Sequence, residues 1–266
     1  MCECRSRVLT LTWILVATAA SGLLSLCAAA WLSFGLMAAL VKRLVSLSAG
    51  LLLATSILHL LPEALDSGID HHRLAWTLLA GLVAFFLLEK GAILRHSHHH
   101  EGDGHAHHHG HDRDEAGAGG WLILVGDSVH NFADGVLLAA AFMADTQLGW
   151  ITAAAIAAHE IPQEVGDFIV LLNAGYSRAR AFAYNTVASL AAVAGGVAGY
   201  FWLQRAQGIL PHVLVLAASG FIYIALADLI PSMQRDGSRR ESALQLALMG
   251  CGIVAIALLT AQLHAH

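Results

Sequence analysis

The chain has 266 residues, of which 57% are hydrophobic and 12% are charged, and its formal net charge is −5 at pH 7. A soluble domain carries roughly 25% charged residues, so this composition indicates an integral membrane protein without a large soluble domain. The 14 lysines and arginines are scattered along the chain rather than gathered in a basic patch, which argues against a nucleic-acid partner.

Eight apolar runs follow one another along the chain, each near the ~20 residues that a helix needs to cross a bilayer. They cover residues 10–37, 44–65, 74–94, 120–143, 148–172, 180–203, 210–233 and 242–263. The first run could be a signal peptide, but it continues past the small residues near Cys27, so we favour a spanning helix. No run alternates as a strand would, and the sequence predicts an all-α membrane protein with eight transmembrane helices.

A histidine-rich segment separates the third helix from the fourth. Residues 1–95 hold the first three helices, residues 96–119 hold almost nothing apolar, and residues 120–266 hold the other five helices in the same membrane domain. A segment of this composition cannot bury enough surface to fold, so we expect a disordered loop. Its histidines favour a regulatory loop that binds zinc; they are His96, His98, His99, His100, His105, His107, His108, His109 and His111.

The positive charges predict an orientation in the membrane. Four fall on the side of the termini, namely Arg5, Arg7, Arg73 and Arg205. Ten fall on the other side, namely Lys42, Arg43, Lys90, Arg95, Arg113, Arg178, Arg180, Arg235, Arg239 and Arg240. Because cytoplasmic loops carry the excess of Lys and Arg, we expect both termini outside and the His-rich loop in the cytoplasm. We expect the membrane to be a bacterial inner membrane.

The fourth and fifth helices carry polar side chains at helical spacing inside apolar runs. Residues three or four positions apart share one face of a helix. On the fourth helix they are Asp127, His130, Asn131 and Asp134, and on the fifth His159, Glu160, Gln163, Glu164 and Asp167. Ionisable groups at membrane depth are costly, and these residue types are ligands of divalent metals. The alternative, polar groups that only join helices through hydrogen bonds, does not account for so many. The two faces predict either a two-metal site or a series of sites along a path.

Several other polar residues are candidates for the metal pathway. Pro162 removes a hydrogen bond from the fifth helix and frees a carbonyl oxygen, which could face an ion or water. His59 in the second helix contributes only if that helix faces the site. Glu63, Asp228 and Asn185 lie within or near other spans. For Glu63 the competing interpretation is a solvated helix end, and for Asp228 and Asn185 it is a structural contact between helices.

The motifs resemble those of the ZIP (Zrt/Irt-like) metal transporters. Residues 130–135 (HNFADG) resemble the HNxxDG motif of the fourth ZIP helix, and residues 159–164 (HEIPQE) resemble the HExPHE motif of one subfamily. Residues 59–62 (HLLP) and 221–225 (FIYIA) agree with the same family, as do the eight helices and the His-rich loop.

The resemblance implies an importer, not an enzyme, that moves Zn²⁺, and often Fe²⁺, Mn²⁺ or Cd²⁺, into the cytoplasm. It also implies a homodimer and a two-metal site. His59, His130, His159 and Gln163 would surround one metal, Asn131 and Glu160 would lean toward the second, and Asp134 would lie between them. Glu164 completes the fifth-helix motif. The chain departs from the pattern at Gln163, where the subfamily has His, and at Asn185, where some members have a carboxylate.

Two other functions compete with import. An exporter of the cation diffusion facilitator type also uses His-x-x-x-Asp, as in His130 and Asp134, but has about six spans and a soluble domain. An intramembrane zinc hydrolase would use HExxH, in which Glu is the base and both His bind zinc. Gln163 replaces the second His of that motif.

Overall fold

The computed structural model describes residues 2–34, 38–97, 113–173, 175–234 and 238–263, and it is helical almost throughout these ranges, with no strand. We number eight helical rods in chain order. They are α1 (Cys2–Phe34), α2 (residues 38–65), α3 (His71–Ser97), α4 (Arg113–Ala144), α5 (Thr146–Asn173), α6 (Arg178–Arg205), α7 (residues 210–234) and α8 (Arg239–Leu263). The predicted all-α fold with eight helices is confirmed.

The ends of the rods differ from the predicted bounds. α4 begins at Arg113 rather than at Gly120, and α3 continues to Ser97, so both extend into the segment that we expected to be disordered. Once a helix has formed, each further residue adds a hydrogen bond, and polar turns outside the bilayer can continue it.

Six of the rods are long and apolar enough to cross a membrane: α1, α2, α3, α6, α7 and α8. The other two, α4 and α5, carry the polar stretches identified in the sequence, which lower their hydropathy. Asp145 caps the N-terminus of α5: its Oδ1 accepts hydrogen bonds from the backbone N–H groups of Gln147 and Leu148, at 2.8 and 2.9 Å. An acidic residue at this position satisfies amide groups that a helix start leaves unpaired.

Two rods contain a π-helical segment directly before a proline. α2 consists of Ala38–Thr55, the π segment Ser56–Leu60 and Leu61–Leu65, and Pro62 follows the π segment closely. α7 consists of Leu210–Tyr223, the π segment Ile224–Leu229 and Ile230–Gln234, with Pro231 in the same relation. Because proline lacks an N–H and its ring crowds the carbonyl four residues earlier, the helix widens there.

The rods pack as two groups. In the first group, α4 packs on α6, and α1 packs on both α5 and α6; in the second, α2 packs on α8 and α3 packs on α7. The groups meet mainly where α5 lies against α2 and α4 lies against α7. Close contact between α4 and α6 depends on two glycines, since a Cβ at Gly135 would collide with the carbonyl of Ala192, and one at Gly195 with that of Phe132.

Candidate metal centre

Four predicted residues meet between α4 and α5. One ligand atom from each of His130, Asp134, His159 and Glu160 lies within 4.8 Å of the other three. His159 Nε2 is 3.1 Å from Asp134 Oδ2, and His130 Nε2 is 3.6 Å from Glu160 Oε1. The two Nε2 atoms are 3.4 Å apart. We call these four residues the central cluster. Two nitrogens and two carboxylates converging at this distance make a set that suits a divalent metal.

The position of the His159 ring shows which of its nitrogens is free to bind. Nδ1 lies 3.1 Å from the carbonyl oxygen of Ala155, one turn earlier on α5. A carbonyl only accepts, so Nδ1 carries the proton and Nε2 presents its lone pair to the central cluster. The ring also packs edge-on against Phe221 of α7, with 5.9 Å between centroids. The imidazole is therefore fixed in orientation before any metal binds.

The carboxylates of the central cluster lack hydrogen-bond donors. Among the described residues, no hydrogen bond reaches Asp134 Oδ2, Glu160 Oε1 or Glu160 Oε2, and all three atoms are buried. Asp134 Oδ2 instead faces His159 Nε2, so two electron-rich atoms lie close together. Buried acceptors in native proteins are nearly always satisfied. A cation between these atoms would satisfy them, and few other species could.

A small cavity extends from the central cluster toward α1. It is lined by Thr18, Ser21, Gly22, Asn131, Asp134, Gly135, Leu138, Ile156, Glu160 and Ala192. It has room for about one water molecule. Ser21 Oγ is buried and finds no hydrogen-bond partner among the described residues, whereas Thr18 donates to the carbonyl of Ile14 four residues earlier. The sequence analysis did not single out Ser21, because most serines in apolar helices bond to their own backbone.

Asn131 and Gln163 both contact Asp127. Asn131 Nδ2 donates to Asp127 Oδ1 at 3.0 Å and to its backbone oxygen at 3.1 Å. Gln163 Nε2 donates to the same Oδ1 at 3.0 Å, which joins α4 to α5. Asp127 and Asn131 are buried, and Gln163 is half-buried. All three therefore form one hydrogen-bonded group beside the central cluster.

Glu164 contacts α6 and is not part of the central cluster. Its Oε1 accepts from Ser189 Oγ of α6 at 2.8 Å, and its backbone oxygen accepts from Asn185 Nδ2 at 3.0 Å. Its Oε2 is buried and accepts no hydrogen bond from the described residues. Asn185 thus joins helices rather than lining the central cluster, and Glu164 faces α6 because it lies on a different side of α5 from His159.

The structure does not bring His59 into the central cluster. It lies in the π segment of α2, and its Nε2 is 2.7 Å from Thr260 Oγ1 of α8. Of the other pathway candidates, Glu63 and Asp228 are exposed and Asp167 is half-buried. His96 ends α3 together with Ser97, and the other eight histidines of the predicted regulatory loop lie outside the described residues.

The carbonyl freed by Pro162 has a protein partner rather than an ion or water. Pro162 lies inside α5, where it has no N–H to donate to Ala158, four residues earlier. Ser48 Oγ of α2 lies 2.5 Å from the Ala158 oxygen and 2.8 Å from the Leu44 oxygen of its own helix. Its single proton can supply the missing donor to Ala158 at the shorter distance. This contact joins the two groups of rods immediately beside His159. A lone serine in an apolar run gives no signal by which the sequence analysis could have found it.

Comparison with known proteins shows the family of the chain. The ZIP zinc transporter family matches residues 89–260, and this chain belongs to that family. Zinc transporter YKE4 of Saccharomyces cerevisiae is 32% identical over 249 residues, which cover 82% of this chain and 70% of that protein. Zinc transporter ZIP13 of Pongo abelii is 31% identical over 234 residues, covering 82% and 66%. Zinc transporter ZIP10 of Danio rerio is 38% identical over 126 residues, but the match covers 47% of this chain and only 15% of that protein.

Proposed function

We propose that this protein transports a divalent metal, Zn²⁺ foremost, across the membrane into the cytoplasm through the central cluster. The observation that carries the proposal concerns the carboxylate oxygens of Asp134 and Glu160: they are buried, accept no hydrogen bond from the described residues, and face the imidazole nitrogens of the central cluster. Family membership and the names of the relatives support zinc as the transported ion. They also favour a transporter over the hydrolase and over the exporter of the cation diffusion facilitator type.

The central cluster is suited to a borderline metal. Imidazole nitrogens and carboxylate oxygens bind Zn²⁺ well, and the same donors accept Fe²⁺, Mn²⁺ and Cd²⁺ with different affinity. Four donors from two helices would hold the ion, with the His159 ring already oriented. The geometry supports Asp134 and Glu160 in place of His59 as partners of the two histidines.

A second metal position would lie in the cavity beside the central cluster. Asp134 and Glu160 line both the central cluster and the cavity, and Asn131 lines the cavity wall. An ion that moves between two adjacent positions would exchange its ligands one at a time. It would therefore never lie in hydrocarbon without ligands. We propose that Glu164 and Asp167 continue this polar path along α5 beyond the central cluster.

We propose import into the cytoplasm because the resemblance to ZIP importers implies that direction, and the charge distribution supports the matching orientation of the chain. The excess of Lys and Arg puts the His-rich loop in the cytoplasm and the termini outside. A loop of that composition on the receiving side would bind zinc as it arrives and could report its concentration. Relative movement of the two groups of rods, which meet at α2 and α5, would open the central cluster to each side in turn. We propose that the protein works as a homodimer.

Zinc uptake by vesicles containing the purified protein tests the proposal. We expect saturable uptake by the wild type, and a rate close to that of empty vesicles for His159→Ala, because that change removes one donor and its fixed ring. Thr186→Ala is a matched control, since Thr186 is half-buried and, among the described residues, its hydroxyl donates to Phe182 of its own helix and to no other rod. Absence of uptake by the wild type, or equal uptake by His159→Ala, would contradict the proposed function.

A further inference from the structure

One carboxylate oxygen accepts hydrogen bonds from two amide side chains on different helices. Asp127 Oδ1 lies 3.0 Å from both Asn131 Nδ2 and Gln163 Nε2. Asp127 is buried, so these amides compete with little water for its oxygen. Hydrogen bonds to an ionised acceptor are roughly twice as strong as those between neutral groups. The NH₂ ends of both amides are therefore fixed on Asp127.

The orientation of an amide decides whether it can bind a metal. An amide has two ends of nearly the same shape, but only the carbonyl oxygen has a lone pair to offer, while the NH₂ group only donates. With both NH₂ groups on Asp127, the carbonyl oxygens are the free ends. Asn131 lines the cavity together with Asp134 and Glu160, and Gln163 lies one helical turn after His159 on α5.

We infer that Asp127 is a positioning residue for transport: it does not bind the cation, but holds the amides of Asn131 and Gln163 so that their carbonyl oxygens can. This inference rests on the proposed function and adds a specificity determinant to it. Groups that orient the direct ligands of a metal commonly change its affinity by about 10–100-fold when they are lost.

The inference gives Gln163 a defined role at the position where the chain departs from the HExPHE motif. A glutamine without a fixed partner would present its NH₂ group to the cation in a share of its rotamers, which repels the metal. Asp127 removes that alternative and makes Gln163 an oxygen donor. The site then offers more oxygen and less nitrogen than a site with His at this position, which favours harder cations relative to softer ones.

A comparison of two substitutions separates positioning from a direct role of the charge. Asp127→Asn keeps an oxygen that accepts from both amides but removes the charge, whereas Asp127→Ala removes the acceptor. Each full-length variant would be placed in phosphatidylethanolamine–phosphatidylglycerol vesicles, and KM and maximal rate would be measured for Zn²⁺ and for Mn²⁺. The increase in thermal denaturation temperature on adding Zn²⁺ in detergent gives a second readout that does not depend on transport.

We expect Asp127→Ala to raise KM for zinc about tenfold or more, since two oxygen ligands lose their orientation, and to lose most of the stabilisation by zinc. We expect Asp127→Asn to restore KM to within about threefold of the wild type, because a neutral oxygen accepts these bonds less strongly. In both variants the maximal rate should change less than KM. The loss of oxygen donors should raise KM for Mn²⁺ by a larger factor than KM for Zn²⁺.

Other outcomes would overturn the inference. Equal loss in Asp127→Asn and Asp127→Ala would show that the charge itself acts on the cation, and wild-type behaviour of Asp127→Ala would show that the amides need no partner. If Asp127→Ala does not fold, the result for Asp127→Asn decides the inference. A positioning role requires that Asp127→Asn keep its affinity for zinc, and loss of that affinity would overturn the inference. A wild type that neither takes up zinc nor is stabilised by it refutes the proposed function as well, which distinguishes that failure from failure of the inference alone.

Discussion

His159 shows how one side chain is prepared for a cation by its own helix. Its Nδ1 is held by the carbonyl of Ala155, so the lone pair on Nε2 is directed at Asp134 and His130. The sequence predicted this pairing well, because positions 130 and 134 are one turn apart on α4 and residues 159 and 160 reach the same region from α5. The roles of Ser21 and Ser48 could not be predicted, since Ser21 lines a cavity between rods and the Ala158 oxygen that Ser48 contacts lies on another rod.

Replacing Gln163 with His should change which metals the protein prefers. An imidazole at this position could donate one N–H to Asp127 and present its other nitrogen to the metal. A nitrogen donor favours zinc over manganese. We expect the ratio of zinc to manganese affinity, measured by competition uptake, to rise about tenfold, equivalent to ~1.4 kcal/mol. Gln163→Leu is the control and should weaken both metals. An unchanged ratio in Gln163→His would contradict a ligand role for position 163.

At the scale of the helix, Pro162 and Ser48 should act as a coupled pair. Ser48→Ala removes the side-chain donor from the part-buried Ala158 carbonyl, which should cost about 1 kcal/mol of stability, the net value of a typical hydrogen bond. In a Pro162→Ala background the backbone N–H of residue 162 can donate to the same carbonyl. Ser48→Ala should then cost much less.

A double-mutant cycle of the free energy of unfolding, measured by denaturant titration in mixed micelles, gives the coupling. The four proteins are the wild type, the two single variants and the double variant. We expect a coupling of about 1 kcal/mol or more, within the usual range for residues in contact. Equal effects of Ser48→Ala in both backgrounds would mean that the serine does not replace the missing backbone donor.

Close packing of α4 on α6 leads to a second prediction at this scale. Gly135→Ala places a methyl group against the Ala192 carbonyl, so the helices must separate. Overpacking of this kind costs about 1–3 kcal/mol, and the displaced α4 should also weaken zinc binding by the central cluster. Gly126→Ala is a matched control on the same helix, because a Cβ there meets nothing within 4 Å. Similar denaturation temperatures for the two variants would contradict this role of Gly135.

The elements themselves were predictable, but their internal irregularities and partners were not. Apolar runs of spanning length identified all eight rods, since only a helix satisfies its backbone within one segment in lipid. The π segments before Pro62 and Pro231 depend on how each helix relieves the proline clash. His59 shows the consequence, because it turns to Thr260 of α8 rather than to the central cluster. Which neighbour a rod packs against is a property of the whole fold.

At the scale of the molecule, the central cluster belongs to one group of rods and lies next to the other. All four of its residues are on α4 and α5, while Phe221 of α7 and Ser48 of α2 approach from the second group. Movement between the groups would therefore change the surroundings of the metal without separating its ligands. The sequence indicated the ligands through their spacing, but it could not indicate this boundary, which depends on contacts between distant segments.

Zinc coordination in the purified protein tests the central claim most directly. X-ray absorption at the zinc edge would be measured on a full-length variant whose nine loop histidines are replaced by serine, so that the loop contributes no imidazole. We predict a first shell of nitrogen and oxygen with two imidazoles, falling to one in His159→Ala. A shell containing sulfur, or an imidazole count that His159→Ala leaves unchanged, would contradict the claim that the central cluster holds the metal.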